Sequence, residues 1–346
     1  MMRRDGWMLC AVVALALFGL RVQLRMSTAV PGASFFLPII IGGVCGLAAM
    51  LLCTGERVGV LLRGKWIAFG LAAALMAALI VFGRRYRGGL YLPGRLNPSE
   101  LVKLCMVVFC AASLSTRTDA VFGDLRELAF FTGALGLLAI EISVAGDFGL
   151  LAQIALTVAA MLFAASWLWG TAAFGIIAGG VWFALAHPMG HLATRVNVWR
   201  DPLADATGAG WQTLQGVAAV VHGGVSGMGL GLGGVQAIPI VSSDFVYAAL
   251  AEELGLLGCL AVLTAYAVVF ARGLLAAGRQ ADRGAALLAT GIVASVSVQV
   301  LLNVAGVLNA LPMTGITLPL VSHGGSSLVV TLILLGMLLG LTRRGK

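Results

Sequence analysis

Charge is what this chain has least of. Asp, Glu, Lys and Arg make up only 10% of its 346 residues, against about 25% in ordinary soluble proteins. So little charge cannot cover a solvated globular surface, and a separate soluble domain is excluded. The net charge of +8 is spread over loops without the interleaved aromatics of a nucleic-acid binder. Membrane topology and anionic lipid account for it better. Paired cysteines are missing as well. Cys10, Cys45, Cys53, Cys105, Cys110 and Cys259 lie in apolar runs with no CxxC spacing and no nearby His, which makes them small buried hydrophobes rather than redox or metal groups. The alternating segments of about ten residues that mark a membrane barrel are also lacking.

What the chain does have is long, continuous apolar runs. Hydrophobic residues reach 60%, mean hydropathy is +1.02, and 47 residues are Gly. These features predict an all-α polytopic membrane protein with about ten transmembrane helices. Ten spans of ~20 residues would take about 200 residues, leaving short loops, one long loop, and a single integral membrane domain over residues 1–346. The expected spans begin with Trp7 to Leu20, Phe35 to Cys53, Trp66 to Phe82, a fourth opened by Asn97 to Lys103, and Phe130 to Ser143. They continue with a sixth from Asp147 to about Trp167, Gly170 to Ala186, Phe245 to Phe270, a ninth ending near Leu308, and a tenth before Arg343.

Arg3 and Arg4 precede the first run, an order that also fits a signal peptide. Because further spans follow at once, an uncleaved helix is the better reading. Basic turns around Arg57, Arg63 and Lys65, around Arg272, Arg279 and Arg283, and at Arg343, Arg344 and Lys346 put both termini in the cytoplasm. Arg84, Arg85, Arg87 and Arg95 then fall outside, as snorkelling side chains or as a basic rim attracting a phosphate-bearing substrate.

The long extracytoplasmic loop between spans seven and eight, His187 to Asp244, overlaps the one long polar interlude, Arg195 to Gly255. A segment that polar lies outside hydrocarbon unless protein buries it or it lines a water-filled cavity. It reads as irregular backbone or interfacial helices. His187 and His191 are four apart, but Pro188 and Gly190 between them argue against a shared helical face and a metal site. Gly227 to Gly234 contains a GxGxxG-like spacing that has no nucleotide meaning outside a βαβ unit. Close packing or backbone approach to a ligand explains such glycines better.

Ionisable residues stand out against this background. Glu100 and Lys103 are three apart on one helical face and can pair. Both a structural ion pair and a polar site beneath the outer surface account for them. Glu141 and Asp147 add carboxylates on the outer side. Asp244 marks the exit of the long loop, and helical rise places Glu252 roughly 12 Å below it.

Several of these residues carry a resemblance. Gly208-Ala209-Gly210-Trp211-Gln212 with Gln215, Pro239 before Asp244-Phe245, and Ala251-Glu252-Glu253-Leu254-Gly255 resemble the FtsW/RodA/SpoVE family. So do Pro98-Ser99-Glu100-Leu101 with Lys103, Pro312-Met313-Thr314-Gly315, and Pro319-Leu320-Val321-Ser322-His323-Gly324-Gly325-Ser326-Ser327. The matches run in family order from about Asn97 to the C-terminus. Departures occur around them. Tyr86 or Tyr91 stands for a family Trp, Ala145-Gly146 for the Gln-Pro before Asp147, Ile240 and Ser242 for a polar pair, and His323 for a Tyr.

The resemblance implies a ten-span peptidoglycan glycosyltransferase in the bacterial cytoplasmic (inner) membrane. It would polymerise lipid II at the outer face and work with a class B penicillin-binding protein. Carried over by position, the essential aspartate is Asp244, the span-four pair is Glu100 and Lys103, and Asp147 is a further cavity residue. Gln212, Gln215, Glu252 and Ser326 extend that cavity. Making a β link from an α-linked diphosphate sugar inverts the anomeric carbon, so a single displacement needs a base and positive charge for the departing diphosphate. Asp244 is the expected base. Arg195, Arg200, the basic loop after span three, Lys103 or a divalent cation (Mg or Mn) could hold the leaving group. No soluble cofactor is implied, and the donor's lipid tail would stay among membrane lipids. Two rival readings remain: a flippase or transporter using Glu100, Lys103, Glu252 and Glu253, and a non-catalytic scaffold for a penicillin-binding partner.

Overall fold

The computed structural model describes residues 5–27, 36–53, 57–86, 89–92, 98–115, 125–166, 175, 190–230, 232–234 and 243–342. Among them the chain forms twelve α-helices and one two-stranded hairpin, so the protein is an all-α polytopic membrane protein. In chain order the helices are α1 (Gly6–Ser27), α2 (Phe36–Leu52), α3 (Arg57–Arg63), α4 (Lys65–Phe82), α5 (Ser99–Ser115), α6 (Leu125–Ala145) and α7 (Phe148–Ala164). There follow α8 (Gly190–Arg200), a 3₁₀ turn (Pro202–Asp205), α9 (Trp211–Gly223), α10 (Val246–Ala277), α11 (Arg283–Val307) and α12 (Gly325–Leu341). The expected seventh span, Gly170 to Ala186, lies outside the described residues except for Gly175, as do Pro188, Pro239, Ile240 and Ser242. By length and composition, Gly6–Leu24, Lys65–Phe82, Val246–Ala277 and Arg283–Val307 can each cross a membrane, and shorter apolar helices stand beside them.

Three features differ from the sequence expectation. The basic stretch after α4 is an antiparallel hairpin, β1 (Arg84–Tyr86) with β2 (Gly89–Tyr91), in which Arg85 faces Leu90. The polar interlude is largely helical, and His191 lies inside α8 rather than in an irregular turn. The long helix α10 is also interrupted: Gly255 adopts φ +66°, ψ −168°, a conformation available essentially only to Gly.

At that break the glycine-rich loop after α9 replaces the missing helical hydrogen bonds. The Met228 and Gly229 N–H groups donate to the Glu252 and Glu253 carbonyls at 2.9 and 3.1 Å. In return, the Leu256 and Leu257 N–H groups donate to Gly224 and Val225. The contact needs bare backbone, since a Cβ on Gly255 would sit 2.3 Å from the Gly227 nitrogen. Non-helical backbone at this depth is tolerated where protein satisfies it.

Burial separates the inner helices from the outer ones. α5 and α11 are buried along most of their length and pack against each other and against α7. Apolar side chains such as Trp7, Ile67 and Val81 on outer helices are exposed, as a lipid-facing surface requires. The α2–α12 pair crosses at van der Waals range because a Cβ on Gly336 would meet the Gly46 carbonyl oxygen at 2.0 Å. These buried helices carry the polar side chains that build the site.

Candidate active site

The deepest layer is a buried polar cluster. Lys103 is 1% exposed, and its Nζ donates to Glu100 Oε2 at 2.5 Å and to Gln299 Oε1 at 2.6 Å. Glu100 lies in the first turn of α5, where its charge suits the positive end of the helix. Gln299 uses its whole amide. Its oxygen also accepts from Gln153 Nε2 at 3.2 Å, and its nitrogen donates to the Thr317 carbonyl at 3.0 Å and to Ser327 Oγ at 3.2 Å. Thr317 Oγ1 closes the circuit by donating to Ser327 Oγ at 2.9 Å. The i,i+3 pair read from sequence is therefore part of a network spanning α5, α7, α11 and α12.

The outer layer is organised by the backbone of the last hairpin, residues 312–324. Arg195 in α8 is exposed, and its Nη1 donates to the Met313 and Thr314 carbonyls at 3.2 and 3.0 Å. One turn on, Trp199 and Asn309 exchange hydrogen bonds, which fixes α8 against the end of α11. Gly315 has φ +77°, and a Cβ built there would lie 3.7 Å from Asp244 Oδ2 and 4.0 Å from Arg195 Nη2. The base candidate and the guanidinium thus flank the same bare piece of backbone.

Asp244 itself is held from behind. Asn303 Nδ2 donates to its carbonyl at 2.9 Å, and Ser322 Oγ donates to the Ser243 carbonyl at 2.5 Å. Phe245 is 3% exposed, with its ring against Gly216 of α9. Anchored by these neighbours, the half-buried carboxyl group is pushed up to about 6 by burial, against the lowering influences of the Ser243 hydroxyl and the Arg195 charge. A carboxyl group at that level is ionised at neutral pH and still basic enough to take a proton.

Asp147 caps α7, accepting from the Leu150 N–H at 3.0 Å. The Ser99 hydroxyl and the charges of Arg195 and Glu100 also act on its carboxyl. Asp147 is therefore linked electrostatically both to the α5 pair and to the Arg195–Asp244 region. Glu100, Lys103, Asp147, Arg195 and Asp244 come together as one site.

The remaining expected residues are placed differently. Arg200 is exposed at the end of α8, and five residues of helix turn it about 140° away from Arg195. Gln212 and Gln215 are half-buried on α9, which packs along α10 beside Phe245. Glu252 is 4% exposed on the α10 segment before the break, with Oε2 2.6 Å from a Cβ built on Gly233. Ser326 is half-buried in the first turn of α12, where its neighbour Ser327 supplies the hydroxyl to the network. Sequence reasoning missed Gln299 and Asn303. Their signal was available: a Gln and an Asn four apart in an otherwise apolar span.

Among the described residues, no group of three or more His, Cys, Asp or Glu side chains converges as a metal site. Asp147 is a hard oxygen donor of the type Mg or Mn takes alongside substrate phosphates.

Residues 7–346 match the profile of the family described as cell cycle protein, FtsW/RodA/SpoVE. The chain is 32% identical to the "Probable peptidoglycan glycosyltransferase FtsW" of Halomonas elongata, over 97% of this chain and 89% of that one. It is 34% identical to stage V sporulation protein E of Bacillus subtilis, over 72% and 69% of the two chains. In three dimensions it matches a chain from work described as the structural coordination of polymerization and crosslinking by a peptidoglycan synthase complex. There the TM-score is 0.78 at 23% identity, over 99% and 98% of the two chains, a likeness of fold.

Proposed function

Since this chain belongs to the FtsW/RodA/SpoVE family, we propose that it is a peptidoglycan glycosyltransferase that polymerises lipid II at the outer face of the bacterial cytoplasmic membrane. The observation that carries this reading is the Asp244 carboxylate, half-buried beside Arg195 and backed by the hydrogen bonds of Asn303 and Ser322. The 4-hydroxyl of one sugar attacks the anomeric carbon of the other, and its proton passes to Asp244. The bond from that carbon to the diphosphate breaks, and the configuration inverts. General base catalysis of this kind is typically worth 10²–10⁴-fold. Arg195 faces the developing negative charge of the lipid diphosphate, and its hold on two hairpin carbonyls keeps it in place.

A divalent cation, when bound, would neutralise diphosphate oxygens, with Asp147 as a protein donor. The Lys103–Glu100–Gln299 network lies behind these groups and joins α5, α7, α11 and α12, of which α7 carries Asp147 at its start. The partner in this reading is a class B penicillin-binding protein, a transpeptidase that crosslinks the emerging glycan. The test is glycan formation from lipid II by the purified chain with that partner, in detergent and without any membrane gradient. Polymer supports the enzyme. If turnover of lipid II appears only in sealed vesicles, as transport that collapses with the gradient, the flippase reading replaces it.

A further inference from the structure

We propose that Asn303 is a positioning residue for Asp244, holding the base-bearing backbone and the arginine-bearing hairpin in fixed register. The inference deepens the glycosyltransferase reading and rests on it for its catalytic consequence, though not for its geometry. Asn303 is 1% exposed, in the last turns of α11. Its Nδ2 donates both to the Asp244 carbonyl at 2.9 Å and to the Ile316 carbonyl at 2.7 Å. Both partners are carbonyls, which only accept, so the nitrogen of the amide must face them. The other end, Oδ1, is buried with no hydrogen-bond partner among the described residues. An apolar side chain would avoid that orphan acceptor, and its presence marks a polar function beyond packing.

What the amide joins is specific. On one side is the carbonyl of the proposed base. On the other is Ile316, two residues beyond the Thr314 carbonyl that Arg195 grips. Gln299, one turn earlier on the same face of α11, grips the next carbonyl, Thr317. Hairpin residues 313–317 are therefore held by Arg195 from outside and by Asn303 and Gln299 from inside. Asn303 is the member of this set that also holds Asp244. Loss of its donors frees the loop to shift relative to Arg195, and a displacement of about 1 Å can cost on the order of 10²-fold in rate.

Among the described residues, the charged groups linked to the site are Arg195 of α8, Asp147 at the start of α7, and Glu100 with its partner Lys103 of α5. None is altered by changing Asn303, so a change in Asp244 titration reports its placement. The experiment compares wild type, N303A and the similarly sized N303L, folded in detergent. Carbodiimide-driven amine labelling of the Asp244 peptide, which needs the protonated carboxyl, is followed by mass spectrometry from pH 4 to 8. The D244N variant identifies the signal.

The midpoint is expected to fall in N303A, as the carboxyl group swings towards water. It is expected to fall likewise in N303L, which fills a similar volume without the donors. In parallel, kcat for lipid II is expected to drop about 10²-fold with KM little changed. Unmoved midpoints in folded variants, with or without lower thermal stability, overturn the proposal and leave Asn303 a packing residue. If N303A does not fold, the N303L midpoint decides alone. Absence of polymer from wild type sinks the enzymatic reading instead, and the labelling midpoints still decide whether Asn303 positions the carboxylate.

Discussion

Asp244 combines two demands that conflict, because burial makes its charge costly while its proposed role needs that charge. Its carboxyl is raised to about 6, so the rate should fall on acidification with half-loss near pH 6. Arg195 lowers Asp244, so R195Q should move this acid limb to higher pH in a kcat/KM profile, besides slowing the reaction. The same shift bears on stability. A folded-state carboxyl above its unfolded value holds its proton more tightly than the unfolded chain does. It costs nothing below about pH 4, and the cost grows as pH rises through 6. D244N should accordingly melt no lower than wild type at pH 7, and any gain should vanish at pH 4. The Lys103–Glu100 pair behaves differently because removing one member strands a buried charge. K103M should cost about 3 kcal/mol or more, read from thermal melts in detergent. The double variant E100Q/K103M should recover most of that loss.

At the scale of elements, the sequence made the long apolar helices and the Glu100–Lys103 pair legible, since apolar length and i,i+3 spacing are local signals. Asp147 was placed correctly at a helix start, which its N-cap hydrogen bond now explains. The interruption of α10 was not legible. A lone Gly in an apolar run reads as a tolerated helical residue, and the loop that replaces its hydrogen bonds comes from before Asp244. Nor was the hairpin's role visible, because it acts through backbone carbonyls that any sequence provides. What the sequence showed and went unread was Gln299 and Asn303, polar residues one turn apart within α11.

The interruption of α10 yields its own prediction. G255A places a Cβ on both Gly227 and Val225 in a conformation closed to Ala, and should destabilise by more than about 3 kcal/mol or abolish folded expression. G70A is the control. Gly70 lies within helix α4 with nothing within 4 Å of its would-be Cβ, so the change should be neutral or stabilise by about 0.5–1 kcal/mol. Yield and melting temperature of the two purified variants separate these outcomes.

The whole molecule is a lipid-embedded bundle with buried helices carrying polar cargo to one end. A transporter and a polymerase share that outline. The observation that separates them is where the ionisable groups meet. Arg195 and Asp244 converge on the hairpin backbone beside α8 and α9, with the α5 ion pair closed off behind them. The most direct test is therefore glycan-chain formation from lipid II by the purified protein and its penicillin-binding partner, comparing wild type with D244N at neutral pH. The account predicts polymer from wild type and a loss of at least 10²-fold in a D244N protein that remains folded. Equal polymer from both would contradict it and move the base to another residue.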